Sequence, residues 1–139
     1  MKRFYSILFS FFLYMSTCMG NATDYTIDNI PNVHLSNAQD FVSNPDGILS
    51  LPTVNELNRI ILSIQEQTSS EIAVVVVQSI GDEEIKPFAT NLFAKWGIGK
   101  KDKDNGLLIL FVLEKREITF ETGYGMEGVL PDAICKRIQ

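Results

Sequence analysis

The segment EIAVVVVQ, residues 71–78, places the tightest limit on what this chain can become. It is a β-branched run with no helical polarity, so it reads as a strand, and its unbroken apolar character reads as burial on both faces. Such a strand belongs at the centre of a sheet, and the remaining chain has to supply its neighbours and its covering layers.

Those partners are legible on both sides. Ser50 can cap a helix in which Pro52, near the start, needs no donor, and Leu51, Val54, Leu57, Ile61 and Ile64 then form one apolar face through about Thr68. After a turn at residues 79–82, Ile85, Phe88, Ala89, Leu92, Phe93 and Trp96 mark a second helical face. Pro87 belongs in a first turn, which starts that helix near Glu84, and Gly97 stops it. Trp96 continues the apolar face and is expected to be largely buried. Residues 107–113 and 117–122, separated by Glu114, Lys115 and Arg116, predict an antiparallel hairpin. Strand, helix and strand in succession make a right-handed crossover between parallel neighbours. The fold class predicted is α/β, a three-layer α/β/α domain with a small mixed sheet. Pro131 opens a third helix carrying Ile134, Cys135 and Ile138, which reaches Gln139 without a stop signal, so a further helix is expected beyond it.

The N-terminal segment differs in kind. Lys2 and Arg3 precede an apolar run from Phe4 to Met15 and then small and polar residues, the three-part pattern of a secretory signal peptide over residues 1–20. The run is shorter than the roughly 20 apolar residues that a membrane-crossing helix needs, so export without a permanent anchor is expected. Lipid attachment at Cys18 is the alternative, although Met-Ser-Thr before it fits that signal poorly. The destination is periplasmic, extracellular or membrane-associated. Residues 21–47 carry Pro31, Pro45 and many Asn, Asp and Ser residues, which predicts an extended leader along the surface of a domain spanning residues 48–139.

Charge narrows the partners. Without residues 1–20 the chain has 10 basic and 17 acidic side chains, a net charge of −7. Nucleic acid and anionic membrane surfaces are disfavoured and cations are favoured. Only Cys135 remains beyond Cys18, so no internal disulfide framework forms. His34 is the single histidine, and a surface role suits it better than zinc ligation, which draws several His or Cys ligands. Cys135 reads as core packing, having no histidine near it in sequence.

The residues with chemical potential cluster in two glycine-rich loops, KKDKDNG before the hairpin and GYGMEGVLPD after it. GYGMEG matches the dinucleotide fingerprint in letters, but Val129, Leu130 and Pro131 stand where the helix should begin, and Glu127 would repel a pyrophosphate. KDKDNG is not an EF-hand loop, because with Asp102 at the first position glycine falls at the fifth and Leu113 at the twelfth. A solvated turn in which Asp104 or Asn105 bonds the backbone is the plainer reading of that stretch.

The segments GILSLPTVNELNRIILSIQEQTSSEIAVVVV, FAKWGIGKKDKDNGLLIL and ETGYGMEGVLPD, in this order and spacing, resemble the TPM-domain family of exported or membrane-attached proteins from about Val42 to the C-terminus. The resemblance implies an α/β/α domain. It also implies members with acid-phosphatase activity, notably in the thylakoid lumen, members that bind divalent cations including calcium, and members that assemble or maintain membrane complexes. The acidic positions that match family motifs are Asp46, Asp104, Glu127 and Asp132, taken as a metal-ligand set for Ca²⁺, with Mg²⁺ as the alternative. Hard cations want six to eight oxygens, which loops at one sheet edge can supply.

Two function classes follow. In one, a metal-dependent phosphomonoesterase, Asp104 and Glu127 act as catalytic ligands or base, Lys100, Lys101 and Lys103 steer a phosphate ester, and Gly123 and Gly125 let backbone approach the substrate. In the other, the domain is a non-catalytic interaction or assembly module of an envelope membrane complex. The sequence shows no Ser-His or Cys-His nucleophile pair, which favours the module.

Overall fold

In the computed structural model, residues 22–99 and 101–126 are described. Four strands form one sheet in the order β1-β2-β3-β4, with β1 at Val42–Ser43, β2 at Glu71–Val77, β3 at Gly106–Val112 and β4 at Glu117–Thr122. β1 and β3 flank β2 in parallel, with Val42 opposite Val74 and Glu71 opposite Gly106. β4 returns antiparallel to β3, with Leu107 opposite Thr122. The β-branched run is therefore an interior strand, and the mixed sheet matches the topology read from the sequence.

One helix packs on each face, as the strand's two buried sides require. Helix α1, Leu51–Thr68, begins at Ser50, whose hydroxyl accepts a hydrogen bond from the Thr53 amide at 3.4 Å, and ends at Ser69 with φ 59°. Helix α2, Ile85–Trp96, stops at Gly97, which takes the left-handed conformation (φ 61°) that glycine adopts without a Cβ penalty. On the α2 face, Val75, Val77, Leu108, Leu110 and Val112 pack with Phe88, Ala89 and Leu92, all essentially inaccessible to solvent. On the α1 face, Ile72 and Leu107 meet Phe41, Val42, Ile61 and Met126. The alternation of faces along β2 and β3 follows the two-residue period of a strand.

Two features differ from expectation, the exposure of α1 and the part played by the leader. Of the apolar stripe on α1, only Ile61 is fully buried, while Leu51 is 71% and Ile64 39% exposed. The 18-residue helix is ~27 Å long against ~20 Å for β2, so its ends overhang the sheet. Trp96 is largely buried, as its place on the apolar stripe predicts, and it packs at the rim of its cluster from the last turn of α2. The leader does more than lie along the surface. Its residues Val42 and Ser43 form β1, the Phe41 carbonyl accepts from the Val74 amide at 2.9 Å, and Ile30, Phe41, Val42 and Ser43 are buried. Further back, the Tyr25 amide donates to the Ser79 carbonyl at 2.9 Å.

At the other edge, Lys86 of α2 reaches across β4. Its ammonium donates to the Phe120 carbonyl at 2.9 Å and to the Glu121 carboxylate at 2.8 Å, which ties α2 to the outer strand and occupies an otherwise open edge carbonyl. The third helix expected from Pro131 lies outside the described residues.

Candidate functional site

The two glycine-rich loops do come together, at the end of the sheet where β2 and β3 begin. The Glu71 amide donates to the Asn105 carbonyl at 3.0 Å, the Gly123 amide to the Gly106 carbonyl at 3.0 Å, and the Gly125 amide to the Asp104 carbonyl at 2.9 Å. Their contact is backbone on backbone. A Cβ at Gly123 would stand 2.1 Å from the Asp104 carbonyl oxygen, and one at Gly125 only 1.9 Å from that of Lys103. These glycines are required because the facing chain fills the space where a side chain would go.

Asn105 anchors the junction from below. It is 7% exposed, and its side-chain amide donates to the Ser69 carbonyl at 2.6 Å, which satisfies a carbonyl at the C-terminal cap of α1. Asp104, next to it, holds φ 46°, a left-handed conformation that Asp tolerates better than most residues. Asn105 differs here from the solvated turn of the plainer reading, since it is buried and bonds a backbone carbonyl 36 positions away, while Lys101, Asp102, Lys103 and Asp104 all project into solvent.

Asp46 is elsewhere. Its carboxylate accepts from the Gln78 amide at 2.8 Å and from the Tyr25 hydroxyl at 3.1 Å, which places it beyond the C-terminal end of β2. Asp104 precedes β3, whose first residue pairs with Glu71 at the opposite end of the same strand. The seven residues of β2 separate the two ends by ~20 Å. Ligand oxygens of one calcium ion lie ~2.3–2.6 Å from it, so Asp46 and Asp104 cannot share a cation. The expected four-acid set is corrected on this point: Asp46 is a tether between the leader and β2. Burial raises the Tyr25 phenol pKa, and its hydrogen bond to the Asp46 carboxylate raises it further.

The assignment of Gly123 and Gly125 to substrate binding is corrected in the same way, since both abut protein backbone. Lys100, Glu127 and Asp132 lie outside the described residues, and Lys101 and Lys103 carry exposed ammonium groups on the loop. Among the described residues, no three His, Cys, Asp or Glu side chains stand together in a group that could hold a metal ion. The Tyr25–Asp46 pair was not anticipated. Its partners are 21 positions apart, and no local pattern connects them.

Residues 42–139 match the family model of the TPM domain. The chain belongs to the TPM-domain family. A solved structure, the N-terminal domain of a protein from P. gingivalis determined by solution NMR, is 38% identical with a TM-score of 0.77. That likeness covers 84% of this chain and 74% of the other. No curated protein matches. The TPM match begins at β1, so it includes the edge strand that the sequence reading had assigned to the leader. Among the described residues of this TPM domain, no helix is long and apolar enough to cross a membrane.

Proposed function

We propose that this TPM domain works after export as a non-catalytic interaction module of a membrane-associated complex, with the loop at residues 101–104 as its contact element. One observation carries the reading: Lys101, Asp102, Lys103 and Asp104 are all exposed, on a backbone held in place by the Gly123 and Gly125 contacts behind it. Catalytic groups converge in a concavity that sheds water, whereas a recognition element gains from being exposed and ordered in advance, which lowers the entropy lost on binding. Alternating charges on such a loop favour a polar protein partner of complementary pattern.

The test introduces a photo-crosslinkable residue at position 102 in the producing cell. A discrete membrane-fraction adduct is expected, and it should vanish when Lys101 and Lys103 are both replaced by Glu while circular dichroism and melting temperature stay unchanged. Persistence of the adduct in the charge-reversed protein would remove the loop from the interface.

The second reading is a cation-dependent phosphomonoesterase. What favours it is that the Gly125 amide is bonded to the Asp104 carbonyl, which holds the second glycine-rich loop against the acidic one. Ca²⁺ or Mg²⁺ would there draw on Asp102, Asp104 and Glu127, without Asp46. Chelator-sensitive hydrolysis of a generic phosphomonoester, lost in Asp104→Asn, would establish this reading and displace the module.

A further inference from the structure

We infer that the cleft beneath the leader, between the short helical turn Val33–Leu35 and the last turn of α2, is a binding site for a compact substituted-ammonium group such as that of choline. The cleft has a volume of about 90 Å³, several times the ~10–15 Å³ that admits one water. It therefore takes a small headgroup and no large ligand. Its walls include His34, Phe41 and Trp96, its floor includes Ala73, and Glu71 contributes the carboxylate.

The floor explains why there is space. Ala73 precedes Val75 and Val77 on one face of β2, and a branched side chain there would project into the cleft. Glu71 lies two residues before Ala73, on the same face. It is half-buried, and among the described residues no basic side chain forms an ion pair with it. A carboxylate that no described residue holds in an ion pair attracts a cation. Phe41 is buried and stacks against the His34 ring with centroids 5.2 Å apart at 27°, so the rings nearest solvent at the cleft are those of His34 and of Trp96 at the rim. Aromatic faces with a carboxylate are the surroundings in which a quaternary ammonium is best held, because ring quadrupoles attract a diffuse positive charge that sheds water cheaply. A metal ion would not be suited here, since it wants more oxygen donors than one carboxylate supplies. An inorganic anion would meet Glu71.

Trp96 is the only tryptophan in the chain, so its fluorescence reads this cleft alone. The experiment titrates the purified protein with choline chloride and, separately, with the uncharged alcohol in which carbon replaces the quaternary nitrogen. Choline is expected to give a saturable change, and the alcohol to bind about tenfold more weakly or worse. Glu71→Gln should weaken choline several-fold. Ala73→Val should abolish the response at an unchanged melting temperature, because valine suits a strand and fills the floor.

Equal binding of choline and its uncharged counterpart would overturn the inference, leaving an apolar notch. So would an Ala73→Val protein, folded as judged by circular dichroism, that binds choline normally. Sedimentation with phosphatidylcholine vesicles and not with phosphatidylglycerol vesicles, lost in Ala73→Val, would identify the source as a lipid headgroup. Saturation by free choline without sedimentation would identify a soluble cation, and no response in either arm would refute the site.

Discussion

Replacing Gly123 by alanine tests whether this glycine packs against the opposing loop or serves a ligand. The added Cβ would lie 2.1 Å from the Asp104 carbonyl oxygen and 2.8 Å from its carbon, both backbone atoms with no rotamer by which to escape. One loop must retreat by about 1 Å, and forcing atoms into a packed contact costs ~1–3 kcal/mol. The displacement also stretches the bonds from the Gly123 amide to Gly106 and from the Gly125 amide to Asp104, each worth ~1 kcal/mol net. Together these give a loss of about 3 kcal/mol, which at ~4 °C per kcal/mol lowers the melting temperature by roughly 10 °C. Gly47→Ala is the matched control. Gly47 also needs a special backbone, φ 63°, but a Cβ there meets nothing within 4 Å, so alanine incurs only the left-handed penalty of ~1 kcal/mol. Melting curves of the two variants, with amide shift changes centred on residues 103–105 for Gly123→Ala alone, are the expected result. A Gly123→Ala protein that melts no lower than Gly47→Ala would refute the backbone-contact argument and reopen a ligand role for this glycine.

Three other outcomes are expected. Asp46→Ala should lower stability by about 1 kcal/mol, discounted for the exposure of Asp46, and by the same amount with calcium or with chelator; a loss seen only with calcium would restore Asp46 as a ligand. Because the folded Tyr25 pKa is raised, its bond to Asp46 contributes fully below the ordinary tyrosine pKa near 10 and is lost as pH climbs through the higher folded value. Stability of wild type should therefore fall towards Tyr25→Phe only above about pH 10, and a gap between the two that closes on acidification towards neutrality would contradict this. Arg116 holds φ 54° in the hairpin turn, where its amide donates to the Leu113 carbonyl at 3.0 Å. Arg116→Gly should stabilise by up to ~1 kcal/mol by removing the left-handed penalty, and a lower melting temperature would show that the arginine side chain contributes more than its backbone costs.

The chain by itself determined the elements whose signals are local. A β-branched run over residues 71–77, two apolar stripes, a serine cap, a glycine stop and a short charged turn each specify their structure within a few residues, so β2, α1, α2, β3 and β4 were all legible. The crossover and hairpin rules then settled strand directions. β1 was not legible, because two residues are too few to show a period and its pairing with β2 is about 32 positions away. That pairing decides the site. A parallel β1 delivers Asp46 to the far end of β2, whereas β3 begins at the near end, so two acids that look equivalent as loop residues stand a full strand apart. Tertiary structure likewise gave Gly123 and Gly125 a facing backbone, Asp46 its Tyr25 and Gln78 partners, and Ala73 a cleft walled by residues from three separate segments. Residue type and spacing state what a side chain can do. Only the pairing of distant segments states what it faces, because that is set by burial and hydrogen bonding across the whole sheet.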